Sequence, residues 1–549
     1  MMSWLNRALA SILLCLAIPA GARNTGVAGP VVDAPAGPVR GEGGDGVNVF
    51  RGIPFALPPT GAQRWRPPVE VPAWREVRDA TSFGPVCYQP RSRSRSIYTE
   101  ELPPMSEDCL SLNIWAPAAA RNAPVFVWIH GGALVGGSGR QMMYDGAAMA
   151  RRGIIVVSVN YRLGALGYLA HPGLSAESPD NVSGNYGLLD QIAALRWVNR
   201  NISAFGGDPA NVTIAGESAG GLSVMYLMAA PQARGLFAKA IMQSAYMVSA
   251  PELRSGRHGD FPAEAIGTWL MGQVGAADLA ALRAMDPATL VEGAARANYF
   301  PFLTVDGGVV PEQLVTIFDR GEQARVPVIA GFNSGEIRSL RSLAPPPPAD
   351  AAAYEAAIRE RYGDLADEFL RLYPAGNLAE AVLLPPRDSL YGWTAERLAR
   401  KQTAVGAPGY LYYFDHSYPA AEALGLHGFH AAEIPFVFGN IRNTPAAWPQ
   451  VPDTAGERAL SDAMLGYWTS FVRGGVPRAE GQPDWQPYGT SRAYMAFAAA
   501  PRPGTHLLPG MFEFNEQVVC RRRARGGIPW HWNVGIVSPP LPAGVPECR

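Results

Sequence analysis

Two runs of this chain, Val125-Phe126-Val127-Trp128-Ile129 and Ile154-Ile155-Val156-Val157-Ser158-Val159, are apolar almost throughout. Side chains of a strand alternate between faces, so a continuous apolar run is buried on both. That condition belongs to a sheet covered by helices on each side. Runs of the same kind recur at 212–215, 238–242 and 326–330, and residues 188–198 carry helical spacing between them. Strand and helix patterns in alternation predict an α/β fold built on a large, mostly parallel central sheet with helices on both faces.

No linker divides this pattern. Pro345-Pro346-Pro347-Pro348 is short and reads as a surface stiffener between helices. There is no internal repeat, and residues 91–96, alternating Arg and Ser, form the one low-complexity tract. With 549 residues and 48% hydrophobic content, the chain has the apolar mass for a large core. A net charge of −1 lacks the basic excess of a nucleic-acid binder, so no nucleic-acid partner is expected. Lys239 and Lys401 are the only lysines, which reads as genomic base bias.

The N-terminus reads as an address. Asn6-Arg7 precede an apolar run at 8–18, and Ala20-Gly21-Ala22 offers a small-x-small cleavage site. Residues 1–22 are expected to be a secretory signal peptide, with 23–549 one domain carrying a C-terminal extension. No other stretch has the roughly 18 apolar residues of a membrane span, so no stable membrane insertion is expected. The location implied is secreted or periplasmic. Outside the signal stand four cysteines, Cys87, Cys109, Cys520 and Cys548. An even number suits a disulfide-bonded export. Four allow three pairings; nearest-neighbour pairing would close loops of about twenty and about thirty residues, each contributing about 3 kcal/mol. No Cys-x-x-Cys or paired-His spacing points to zinc, and no cofactor is implied.

Gly216-Glu217-Ser218-Ala219-Gly220 carries the chemistry. It follows the β-branched run Asn211-Val212-Thr213-Ile214-Ala215 and leads into a helical pattern from Gly221. Strand, sharp turn on a serine, and helix are the context of a nucleophile elbow. Its glycines keep side chains clear so that the hydroxyl stands exposed. A serine nucleophile needs a base, an orienting acid and an oxyanion hole. An elbow serine is followed along the chain by its acid and then its histidine, so the partners are expected after 218. Candidate bases include His258, His416, His427, His430 and His506. His430 opens the segment running to Gly439, and spacing alone does not exclude His427. The acid candidate is Glu336, beyond the run 328–330, where catalytic groups collect at strand ends. His130-Gly131-Gly132-Ala133 follows the run 125–129 and is the candidate oxyanion hole, with the N–H groups of Gly132 and Ala133 joined by that of Ala219.

Several blocks together resemble the type-B carboxylesterase family, which includes cholinesterases and bacterial para-nitrobenzyl esterases. They are residues 50–56, 106–115, 128–133 and 185–191, the elbow, and 430–439, all in family order. The resemblance implies an α/β-hydrolase fold and ester hydrolysis through an acyl-enzyme on a small-molecule substrate. By it Ser218 is the nucleophile, His430 rather than His427 the general base and acid, and Glu336 the acid of the triad. It also implies a Cys87–Cys109 disulfide; Cys520–Cys548 is then an inference from what remains. Gly335 and Ile337 stand where the family usually has Asp and Gly.

The loop between the first two cysteines lacks the tryptophan with which cholinesterases hold choline, and its arginines would repel a cationic ester. The same arginines would steer acidic esters if they act at all; a solvated loop is the plainer reading. Glu217 either tunes substrate charge or is held structurally. Phe300 and Phe302 are candidates for an acyl pocket, with core packing the simpler alternative. A carbamate or amide hydrolase would share the mechanism. A non-catalytic adhesion protein of this fold would have lost the nucleophile, which is present. The sequence leaves open the ester, the oligomeric state, and any role for the aromatic stretch at 528–533.

Overall fold

The computed structural model describes residues 29–91, 96–101, 103–530 and 533–548. The expected signal peptide, the centre of the Arg-Ser tract, and His531 and Trp532 lie outside them. Eleven strands form one sheet: β1 (Glu42–Gly44), β2 (Val47–Pro54), β3 (Ser111–Pro117), β4 (Ala123–Ile129), β5 (Ile155–Val159), β6 (Gly207–Glu217), β7 (Lys239–Gln243), β8 (Val328–Asn333), β9 (Gly409–Phe414), β10 (Ala493–Phe497) and β11 (Pro501–Thr505). Their spatial order is β11-β10-β9-β8-β7-β6-β4-β5-β3-β2-β1. Neighbours from β5 through β10 pair parallel, while β3, β2, β1 and β11 are added antiparallel at the two edges. A separate three-stranded sheet joins Val31–Ala34, Gly37–Arg40 and Arg78–Asp79.

The apolar runs have the double burial that their composition predicts. Val125, Val127 and Ile129 of β4 enter a cluster with Leu188 and Ile192 of α1 (Tyr186–Asn201), Val224 of α2 (Ala219–Ala229) and Leu398 of α3 (Trp393–Ala404). Phe126 and Trp128, pointing the other way, pack with Trp468 and Phe471 of α4 (Ala455–Gly474). The strand at 212–215 is longer than its apolar core: β6 begins at Gly207 and runs through Glu217. The tetraproline lies at the surface ahead of the helix Ala351–Tyr362. Among the described residues no helix is long and apolar enough to cross a membrane.

Cys87 is bonded to Cys109 and Cys520 to Cys548, with Cα atoms 5.0 and 5.5 Å apart. The second bond ties the C-terminal segment to α5 (Met511–Arg525), and of the aromatic stretch Trp530 is described. Arg522 on α5 is fully buried and donates to the carbonyls of Pro529, Trp530 and Asn533 and to the Ser538 hydroxyl. Trp530 is buried against the His258 ring, and its Nε1–H donates to the Met247 carbonyl at 3.1 Å. The extension is thereby packed into the main body. Trp530→Ala is expected to cost about 3–5 kcal/mol, the scale of an aromatic core truncation. A urea titration would register it as a lower midpoint with unchanged slope; an unmoved midpoint would mean that the segment contributes nothing to global stability.

Candidate active site

Strand β6 ends at Glu217, and the chain turns sharply into α2. Ser218 sits in the turn at φ 56°, ψ −122°, a region costly for any residue with a Cβ. Its N–H donates to the Gln243 carbonyl and its own carbonyl accepts from Leu222, which pins the strained conformer. Gly220 is required by close approach: a Cβ there would lie 2.0 Å from the Ile129 carbonyl oxygen. The elbow is therefore rigid, and it lifts the serine to the carboxyl end of the parallel strands.

The loop after β4 makes a second irregular turn. Gly132 has φ 101°, and its missing Cβ leaves room for the Gly136 carbonyl, which would lie 2.2 Å away. Ala133 and Leu134 also have positive φ. The His130 side chain braces this loop, stacked on Tyr161 at 4.4 Å with Nδ1 2.8 Å from the Gly131 carbonyl. Burial pushes its imidazole down to about 4, so it stays neutral. Among the described residues no acceptor takes the N–H of Gly132, Ala133 or Ala219. Ala219 opens α2, where the first amides have no partner within the helix.

Beyond β8, Glu336 begins the short helix Glu336–Ser339 and is fully buried. Its Oε1 accepts from the Asn333 N–H at 2.8 Å, and its Oε2 is hydrogen-bonded to Nδ1 of His430. Gly335 donates to the Gly428 carbonyl at 2.7 Å, so the two loops are tied by backbone as well. His427 stands apart, 44% exposed and paired with Glu422. Tyr98 clamps the other side: its hydroxyl donates to the His430 carbonyl at 2.9 Å and is hydrogen-bonded to Ser339 Oγ at 2.7 Å.

His430 Nε2 lies 3.0 Å from Glu217 Oε1, yet that oxygen accepts no hydrogen bond, so it sits off the N–H axis. Among the described residues no hydrogen bond yet joins Nε2 to Ser218; in unliganded sites such bonds are commonly long and tighten with substrate. Burial works to push the imidazole down, but the Glu217 carboxylate, then Glu336, outweigh it and hold His430 up at about 9. Burial also pushes Glu217 up, to about 8, against the pull of His430. The pair keeps a proton to higher pH than a free imidazole would.

Behind this pair lies a buried network that sequence reasoning did not isolate. Glu433 accepts from Gln243 Nε2 at 2.9 Å and Asn333 Nδ2 at 2.6 Å, and Trp468 Nε1 donates to Gln243 Oε1 at 3.0 Å. Burial pushes the Glu433 carboxyl up. The only signal available was a glutamate three residues after His430 in an otherwise apolar stretch.

Ser218, His430, Glu217, Gly132 and Ala133 line one cavity of about 450 Å³. Its remaining wall is mainly apolar and aromatic, including Met143, Tyr144, Tyr246, Leu390, Tyr391 and Ile434, with Gln141 and Ser342 as polar members. Phe300 joins that wall, whereas Phe302 lines a separate small pocket with Tyr168 and Ile266 and touches Phe300 at 5.2 Å between ring centroids. Of the aromatic pair, one reaches the site. No group of three His, Cys, Asp or Glu side chains among the described residues is arranged to hold a metal ion. A nucleophile, a base, a buried acid and three free amides around an apolar cavity can carry out acyl transfer.

Comparison with known proteins points the same way. The profile of the carboxylesterase family matches residues 28–508. The chain is 37% identical over 485 residues to the fumonisin B1 esterase of Sphingopyxis macrogoltabida, covering 84% of this chain and 85% of that protein. It is 36% identical over 474 residues to the para-nitrobenzyl esterase of Bacillus subtilis (strain 168), covering 83% and 92%. A solved para-nitrobenzyl esterase structure superposes with a TM-score of 0.74 at 33% identity, covering 87% of this chain and 97% of its own.

Proposed function

This chain belongs to the carboxylesterase family and is a carboxylic-ester hydrolase, and from that premise we propose that it works through an acyl-enzyme on Ser218 with a Ser218–His430–Glu336 triad. The observation that carries the reading is the convergence of Ser218, His430 and the free amides of Gly132 and Ala133 on one cavity.

In the first half-reaction Ser218 Oγ attacks the ester carbonyl carbon and gives its proton to His430 Nε2. The carbonyl oxygen becomes an oxyanion held by the N–H groups of Gly132, Ala133 and Ala219. On collapse the alkoxy bond breaks, and His430 returns the proton to the leaving alcohol. Water then repeats the sequence on the acyl-enzyme and releases the carboxylic acid. Glu336 keeps the Nδ1 proton in place and stabilises the imidazolium as it forms. Glu217 is a positioning and tuning residue, since its charge acts through His430.

The protein we infer to be exported, one domain over 23–549. Two disulfides closed from all four cysteines of that stretch support the oxidising compartment, and one sheet running from β1 to β11 supports the single domain.

Intact-mass analysis after treatment with a fluorophosphonate, alongside turnover of para-nitrophenyl butanoate, tests the mechanism. One adduct per chain on Ser218 with loss of turnover is the expected result. Turnover that survives complete modification would reject the acyl-enzyme.

Glu217 gives a pH test. General-base action needs neutral His430, so kcat/KM rises with pH through the pKa of the pair, above the ordinary imidazole value. Glu217→Gln removes the larger carboxylate contribution that raises it, leaving mainly Glu336 to oppose burial. The ascending limb of the pH profile is expected to move about 1–2 units toward acid. A limb that stays in place would detach Glu217 from the base.

A further inference from the structure

A second cavity, of about 530 Å³, adjoins the first and shares with it Tyr98, Gly137 and Gln141. Its chemistry is different. Among the described residues, Arg91, Glu100, Glu101 and Arg140 are the charged groups that line it, two guanidinium groups and two carboxyls whose formal charges cancel. Arg140 is laid over the Phe83 ring at 5.1 Å, with Arg51 over the same ring at 5.3 Å, so its guanidinium is held in place rather than free in solvent. Among the described residues it has no hydrogen bond and no ion pair. Glu100 presents a buried Oε1 that accepts no hydrogen bond among the described residues. Arg140 and Glu100 thus line one cavity, and among the described residues no hydrogen bond joins them.

We propose that this annex receives the alcohol half of the ester, and that the alcohol is neutral and polyhydroxylated, a sugar or polyol. The assignment of the alcohol half rests on the hydrolase mechanism above, in which His430 delivers a proton to the leaving oxygen. That oxygen must lie on the His430 side, and the Tyr98 hydroxyl bonded to the His430 carbonyl makes Tyr98 the partition between histidine and annex. A cationic or anionic alcohol would meet a like charge as well as an opposite one. An alkyl alcohol would cover Arg140 and Glu100 while satisfying neither, which costs affinity. Neighbouring hydroxyls donate to a carboxylate and accept from a guanidinium at once. Sites built to hydrogen-bond a hydroxyl discriminate strongly against analogues lacking it.

The test compares two butanoate esters with alcohols of similar bulk, methyl 6-O-butanoyl-glucoside and n-hexyl butanoate. The wild-type protein is expected to favour the glucoside by about tenfold or more in kcat/KM. Arg140→Met, which removes the guanidinium and keeps an unbranched apolar side chain, and Glu100→Leu should each lower that ratio about tenfold. Because the readout is a ratio within one preparation, partial loss of folded protein does not imitate it. A wild-type ratio near one, a ratio unmoved by both variants, or a preference for a choline or carboxylated alcohol overturns the assignment while para-nitrophenyl butanoate is still turned over. Failure of all these esters in the wild-type protein overturns the hydrolase mechanism, and the annex assignment with it.

Discussion

Replacing Ser218 with alanine is expected to lower kcat for para-nitrophenyl butanoate by about 10⁶-fold and to abolish the fluorophosphonate adduct. Removal of the nucleophile leaves only what the oxyanion hole and substrate binding contribute, about 10³–10⁴ over water in serine hydrolases. The same position also carries a stability prediction. At φ 56°, ψ −122° the backbone of Ser218 is strained, and alanine, which retains a Cβ, inherits the strain. Glycine does not. Relief of about 1–3 kcal/mol is opposed by the larger chain entropy of unfolded glycine, about 0.4–1 kcal/mol. Ser218→Gly should therefore be as inactive as Ser218→Ala yet about 1 kcal/mol more stable. Urea midpoints of the three proteins measure this directly. If Ser218→Ala retained turnover within tenfold of the wild type, the nucleophile would have to be sought elsewhere.

That strain explains why the elbow was legible in the sequence while much of its surroundings was not. The glycines at 216 and 220 are demanded by backbone approach, which local sequence records. The apolar runs of β4 and β5 are legible for a related reason: both faces are buried, so the runs are apolar but for Ser158, whose hydroxyl donates to the Gly139 carbonyl. The cavity wall obeys no such local rule. Tyr98, Tyr246, Phe300 and Tyr391 come from four distant segments and meet only after folding. Residues 250–310 and 340–400, which give little pattern, contain the helices Ala263–Gln273, Pro287–Arg296 and Ala351–Tyr362. The last is rich in alanine and exposed on most of its surface, so its periodicity is faint. His427 and His430 could not be separated by spacing, because what separates them is burial: one pairs with Glu422 at the surface, the other is enclosed beside Glu336.

Enclosure also sets the second large effect. Glu336→Gln is expected to lower kcat by about 10⁴-fold with little change in KM, because it reverses the proton arrangement of His430. The carboxylate offers two acceptors, one used by the Asn333 N–H and one by His430 Nδ1. Glutamine has one acceptor and one donor. If its oxygen keeps the Asn333 N–H, its amide group faces Nδ1, which must then give up its proton. The proton resides on Nε2 instead, and Nε2 can no longer accept from Ser218. If the amide flips, the histidine tautomer is preserved, but two donors confront each other at Asn333 in a fully buried site, at a cost of about 1–3 kcal/mol. Glu336→Asp separates charge from reach: it keeps both acceptors but withdraws them by one methylene, and an offset of about 1 Å can cost about 10²-fold. Glu433→Gln is the control, since Glu433 is equally buried but bonds to Asn333 and Gln243 rather than to the imidazole. The expected order of kcat is wild type, then Glu433→Gln and Glu336→Asp, then Glu336→Gln lowest. A larger loss in Glu433→Gln than in Glu336→Gln, with both variants folded by circular dichroism, would move the acid of the triad from Glu336 to Glu433.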